Sequence, residues 1–364
     1  MLKKILKLGE LAMLKKYKEQ EMKEHRLIDL FWECTLSCNA HCKHCGSSAE
    51  CKKYTWELTT QEIKDWFKQI AHDFDASKIL INVTGGEPLV RKDICEVMGY
   101  ATNELDFHRW MTTNGILMND ENIEKLKKAN METISISIDW LEETHNEFRW
   151  VPNAYKTIIE NIKKLKKANF VKIIQVTTVF NKSNIDQIEE LYNIMLDLGI
   201  DSWRLISMDP IGRANENSNL LLNGTEIKRI LDFIKSHKKN KKMEVTYGCN
   251  WFVGLDYEKE VRKYYFYCRT GINIASILYN WDLFVCPDVP RIKSLIQGNI
   301  KTDNFKDVRD NKYKEFRTMD RTKCEHCEQC KFRDFCLGGP YHTWNFKENR
   351  QNKCPYEMVY FNQN

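Results

Sequence analysis

The chain has 364 residues and a formal charge of +5, with its lysines interspersed among acids rather than gathered into blocks. That length accommodates one large domain and a smaller one, and the charge pattern makes no demand for nucleic acid as a partner. Charges interrupt every apolar run well short of the ~20 residues that a membrane span needs, so no membrane span is expected.

The first residues, Met1-Leu2-Lys3-Lys4-Ile5-Leu6-Lys7-Leu8, are basic and apolar like the opening of a signal peptide, but lysines and glutamates follow where a long apolar core would stand. A cytoplasmic location is the expectation. Leu2, Ile5, Leu6, Leu8, Leu11 and Leu14 suit an amphipathic helix within 1–26 that packs on the main domain, with a membrane surface or partner as the alternative. Fourteen cysteines in a chain without an export signal point to metal ligation in a reducing compartment rather than to disulfides.

From residue 27 to about 238, strand-like runs at 27–32, 79–83, 107–112, 133–138, 171–179 and 202–206 alternate with helical stripes such as Ile158, Ile159, Ile162 and Leu165. Further stripes are Ile188, Leu191, Met195, Leu198 and Ile227, Ile230, Leu231, Ile234. Alternation of this kind predicts a parallel sheet with helices outside and a site at the carboxyl ends of the strands. The residues at those ends carry the chemistry. After the first strand comes Cys38-x3-Cys42-x2-Cys45, one thiolate short of closing a four-iron cubane, with a zinc site of unidentified fourth ligand as the alternative. After the second comes Gly85-Gly86-Glu87-Pro88, whose paired glycines permit a ligand to approach the backbone. Thr112-Thr113-Asn114-Gly115 follows the third, Ser135-Ile136-Ser137-Ile138-Asp139 ends the fourth with His145 and Arg149 beyond it, and Asp209-Pro210-Ile211-Gly212-Arg213 closes the sixth. For Arg149 the plain alternative is a surface salt bridge, for His145 a partly exposed helix residue, and the last segment has no evident role.

In the final third, Cys327-x2-Cys330-x5-Cys336 and Cys354 supply four thiolates, enough to close a cubane, with a zinc knuckle as the competing reading. Cys268 and Cys286 flank further strand-like segments. Cys34, Cys51 and Cys95 have no assigned partner and read as buried free thiols.

In this order and spacing the chain resembles the radical S-adenosylmethionine (SAM) enzymes, and its final third resembles the SPASM domain of peptide-modifying maturases. The resemblance implies an α/β fold: a partial (β/α)6 TIM-like barrel over 27–238 and a cysteine-rich iron–sulfur domain over 239–364. It implies [4Fe-4S] clusters, one SAM-binding and one or two auxiliary. Cys38, Cys42 and Cys45 would hold the first, its open iron chelated by the amino and carboxylate groups of SAM. Gly85, Gly86, Glu87 and Pro88 would contact the methionine amino group, Asn114 would lie near SAM, and Ser137 and Arg149 would bind its carboxylate, for which a guanidinium fork is suited. Cys327, Cys330, Cys336 and Cys354 would enclose one auxiliary cluster. The pattern departs from the family around Cys268 and Cys286, with Trp281 in place of an expected glycine and Pro340 in place of a cysteine, so Cys324 or else Cys249 would complete that shell, or the site is open or absent.

The implied activity is reductive cleavage of SAM by an oxidoreductase that modifies a ribosomally made peptide by crosslinking, epimerisation or a related step. It requires a reducing electron donor. Any leader peptide would be bound by the barrel, the C-terminal domain or a separate leader-peptide-binding protein. Sulfatase-maturase-like oxidation of a protein Cys or Ser is the runner-up. An iron–sulfur electron-transfer protein without turnover is the third reading, and it leaves GGEP and Arg149 without use. The general base or hydrogen donor is open; Asp288 follows Cys286 with Pro287 between them.

Overall fold

The computed structural model describes residues 2–361 apart from Thr55, 249–250 and 320–324, with side chains described from residue 11 onward and that of His326 excepted. Among the described residues one sheet of ten strands organises the chain. Its strands are β1 (Asp29–Glu33), β2 (Leu80–Thr84), β3 (His108–Thr113), β4 (Thr133–Ser137), β5 (Ile173–Phe180), β6 (Ser202–Ser207), β7 (Glu244–Tyr247), β8 (Ile274–Ile277), β9 (Asp282–Phe284) and β10 (Gly298–Asn299). The spatial order is β10-β9-β8-β1-β2-β3-β4-β5-β6-β7. All neighbours from β8 through β1 to β7 run parallel, and β9 and β10 close one edge antiparallel. The six expected strands are present, with ends displaced by up to two residues. Residues beyond 238 contribute β7 at one edge of the sheet and β8–β10 at the other.

The helices are α1 (Leu2–Glu24), α2 (Thr60–Asp73), α3 (Ile94–Asn103), α4 (Asp120–Lys128), α5 (Glu142–Arg149), α6 (Ala154–Ala168), α7 (Ile188–Asp197) and α8 (Gly224–His237), followed by shorter ones. Sequence fixes where several begin. Thr59 with Glu62, and Asn223 with Glu226, form capping boxes that satisfy the first amides of α2 and α8. The stripes read from the sequence are covered: Ile158, Ile162, Leu165, Ile188, Leu191, Met195, Ile227, Ile230, Leu231 and Ile234 are buried in the main core.

No helix among the described residues is long and apolar enough to cross a membrane. The leucines expected to face the protein at 2–8 lie outside the described side chains. Farther along α1, Lys18, Glu21 and Met22 are buried, and the helix packs against the C-terminal region through Lys15, which pairs with Asp334 at 2.7 Å, and Lys18, which donates to the Phe335 carbonyl.

Candidate functional site

Beyond β1 the chain turns into the cysteine loop, and the neighbouring strand ends grip it. Gly86 N donates to Thr35 O at 2.8 Å and Glu87 N to Ser37 O at 2.9 Å. A Cβ on Gly85, whose φ is +141°, would collide with the Thr35 carbonyl, and one on Gly86 with the Ser37 carbonyl. The paired glycines are thus required by the protein's own loop.

From the end of β6, Arg213 donates Nε to Cys42 O at 2.9 Å and Nη1 to Ala49 O at 2.7 Å, while its amide donates to Cys45 O at 3.0 Å. A Cβ on Gly212, at φ +54°, would collide with the Cys45 and Gly46 carbonyls. The segment without an evident role is a clamp. The last carbonyls of α5 complete the grip: His41 N donates to Arg149 O at 3.1 Å and Lys43 N to Phe148 O at 3.2 Å.

Cys38, Cys42 and Cys45 line a cavity of about 350 Å³ at the carboxyl ends of the strands, together with Gly85, Gly86, Asn114, Ser137 and Arg149. Five separate segments supply these residues. Glu87 and Pro88 do not line it. The Glu87 carboxylate is fully buried and accepts from Leu89 N (3.0 Å), Thr113 Oγ1 (2.7 Å) and Asn114 N (2.7 Å), tying β2 to the end of β3. Asn114 Nδ2 reaches Asn39 Oδ1 at 2.7 Å and stands 4.0 Å from Cys38 Sγ.

Arg149 is buried rather than a surface cation. It binds Asp139 Oδ2 through Nε at 3.1 Å and Nη2 at 2.5 Å, and His44 Nε2 lies 3.3 Å from the same oxygen. Burial raises the Asp139 carboxyl, but the Arg149 and His44 charges outweigh it and hold that group well below the usual carboxylate range. His145 is completely buried and not partly exposed; burial and the Arg149 charge push its imidazole down to about 3, so it is neutral. Burial pushes the Cys38 thiol up to about 12 and raises the Cys42 thiol too, so a bound cation must supply what makes them thiolates. The donor set fits a thiophilic cluster.

Across the same cavity stands His342, which the sequence did not disclose. His342 Nε2 is 3.0 Å from Asp209 Oδ2, and Trp251 Nε1 donates to Asp209 Oδ1 at 3.0 Å; Asp288 also lines the wall. No spacing signal marks His342, since it lies 133 residues from its partner.

Cys327, Cys330, Cys336 and Cys354 line a second, smaller cavity with Trp251, Phe252 and Lys353. Burial pushes the Cys336 thiol up to about 12 and that of Cys354 to about 11. Cys268 is buried beside Phe252 and Phe266, whereas Cys286 packs in the main core. Trp281 adopts φ +74°, the left-handed conformation for which a glycine was expected, and Lys301 Nζ sits 3.6 Å from its ring centroid. The Pro340 carbonyl accepts from Gln351 Nε2 at 2.9 Å. Cys324 and Cys249 lie outside the described residues. Of the unassigned thiols, Cys34 is buried, Cys95 partly buried and Cys51 exposed. Among the described residues no three His, Cys, Asp or Glu side chains converge as a single metal ion requires; a cubane spreads its thiolates over four irons and does not demand that convergence.

Residues 32–195 match the profile of the Radical SAM superfamily, and residues 268–331 that of an iron-sulfur cluster-binding domain, SPASM. A Methanosarcina barkeri protein named AdoMet-dependent heme synthase is 27% identical over 324 residues, 84% of this chain and 89% of its own. The mycofactocin maturase MftC of Mycolicibacterium smegmatis is 27% identical over 319 residues, 86% of this chain and 77% of its own. Streptococcus suis SuiB bound to its precursor peptide SuiA superposes with a TM-score of 0.70 at 19% identity, covering 94% of this chain and 77% of that one.

Proposed function

This chain is a radical SAM protein with a C-terminal SPASM domain, and from that premise we propose that it is a cytoplasmic enzyme that modifies a ribosomally made peptide. The observation that carries the reading is the shared cavity, where the cysteine loop faces Asp209, Asp288 and His342 across the strand ends. When bound, the cluster and SAM supply reductive cleavage to methionine and a 5′-deoxyadenosyl radical that abstracts a substrate hydrogen.

Cys38, Cys42 and Cys45 would hold the first cluster. The backbone of Gly85 and Gly86, with Asn114, Ser137 and Arg149, would bind SAM, and the Asp139 carboxylate keeps the Arg149 fork aimed. Asp209, held by Trp251, orients His342, which together with Asp288 would face the substrate. Cys327, Cys330, Cys336 and Cys354 would hold an auxiliary cluster, which would supply a one-electron redox centre beside the substrate cavity. The Cys268 and Cys286 site, with Cys324 or Cys249, would be a further one. An external reducing donor is required.

Peptide modification is supported by the likeness to MftC and by the fold shared with a peptide-bound enzyme. A second reading, an iron tetrapyrrole as substrate, is favoured by the relative named heme synthase. Anaerobic assays with dithionite distinguish them: peptides encoded next to the gene are expected to raise 5′-deoxyadenosine release and shift in mass, while an iron porphyrin leaves release at its basal rate. Stimulation by the porphyrin and not by any such peptide would overturn the peptide reading.

A further inference from the structure

Beside the four cysteines of the C-terminal cavity stands a side chain whose ammonium has no hydrogen-bond partner among the described residues. Lys353, adjacent to Cys354, lines the same cavity. The residue as a whole is half-buried, but its Nζ is closed off from solvent and makes no hydrogen bond among the described residues. A buried ammonium without a hydrogen-bond partner is costly for any fold to retain. Lys18, on the other side of the same region, shows the ordinary solution: its ammonium is spent on the Phe335 carbonyl and lies 5.1 Å and 5.9 Å from the Tyr267 and Phe335 ring centroids.

We propose that Lys353 is the charge partner of an iron–sulfur cluster in this cavity and sets that cluster's reduction potential. The inference rests on the reading that Cys327, Cys330, Cys336 and Cys354 are its ligands. A cubane with four thiolates is a dianion when oxidised and a trianion once it has accepted one electron, so a fixed cation beside it favours the reduced form more. A donor hydrogen bond to a cluster sulfur acts in the same direction. Lys353 is thus a positioning residue that acts through the cluster and need not touch substrate.

The test uses the full chain, reconstituted anaerobically, with Cys38, Cys42 and Cys45 replaced by Ala so that auxiliary iron titrates alone. Lys353→Met is expected to retain iron and sulfide but to become harder to reduce. At the parent's midpoint its reduced-to-oxidised ratio should fall about tenfold, equivalent to ~59 mV for a one-electron couple. Lys353→Arg should restore most of the shift. Should the Met variant lose iron, Lys353→Gln keeps a donor without the charge and is expected to shift in the same sense. An unshifted midpoint in an iron-replete Met or Gln variant overturns the proposal and leaves the ligand set standing. Full iron retention in Cys330→Ala and Cys354→Ala overturns the ligand set and the proposal with it.

Discussion

The loop carrying Cys38, Cys42 and Cys45 and the segment running from Cys327 to Cys354 both present thiols to a cavity, but the chain around them differs in kind. The first is gripped by three elements of the barrel: the Gly85-Gly86 turn beneath it, the Gly212-Arg213 clamp above it and the last carbonyls of α5 beside it. The second is built from helices of a single turn, Glu325–Glu328 and Arg333–Cys336, and a two-residue hairpin pairing Trp344 with Gln351. Helices of that length do not stand unaided. It is held by Lys15 and Lys18 of α1, by His342 against Asp209, by Phe332 and Tyr356 against Phe252, and by the helix Pro355–Tyr360 packed against α8. One cysteine loop is placed by the strand ends of the barrel, and the other is assembled from short elements docked on α1, α8 and Phe252.

Removing ligands separates the two most sharply. Replacing Cys38, Cys42 and Cys45 together by Ala is expected to abolish 5′-deoxyadenosine formation while auxiliary iron remains; undiminished cleavage by the triple variant would show that the barrel loop does not carry the reactive cluster. A subtler cut is Arg213→Ala, which removes charge-assisted bonds to the Cys42 and Ala49 carbonyls, each contributing roughly 1.5–3 kcal/mol. Iron bound at the first site should drop severalfold with auxiliary iron unchanged, and equal loss at both sites would erase the distinction. The mildest probe is chelation of iron followed by amide hydrogen exchange. Protection should fall across 325–361 and persist across 34–50, and the reverse order would invert the comparison.

Much of the barrel was readable because its strands, buried on both faces, stand out as apolar runs between helical stripes. β7 was not, since Glu244-Val-Thr-Tyr is too short and too polar to announce itself. Pairing of β8 with β1 was hidden for another reason: Asp29 and Ile274 are register partners far apart in the chain, and no local pattern encodes such a meeting. At the site, the cysteine spacing was legible at a strand end, and Arg149 as a residue type beyond β4, at the end of α5. Their supports were not. Asp139 lay in a quoted motif, yet nothing in it foretold a carboxylate bridging Arg149 and His44, and the Arg213 clamp acts through carbonyls, which any sequence supplies.

One consequence lies in the position of β1 between β2 and β8. A barrel cut free of the residues beyond β7 would bare the backbone amides and carbonyls along Asp29–Trp32, at the strand that leads into the Cys38–Cys45 loop. An open strand edge of this kind is a template for pairing with other chains. The C-terminal region, besides presenting cysteines, therefore closes that flank of the barrel and guards the catalytic half against self-association.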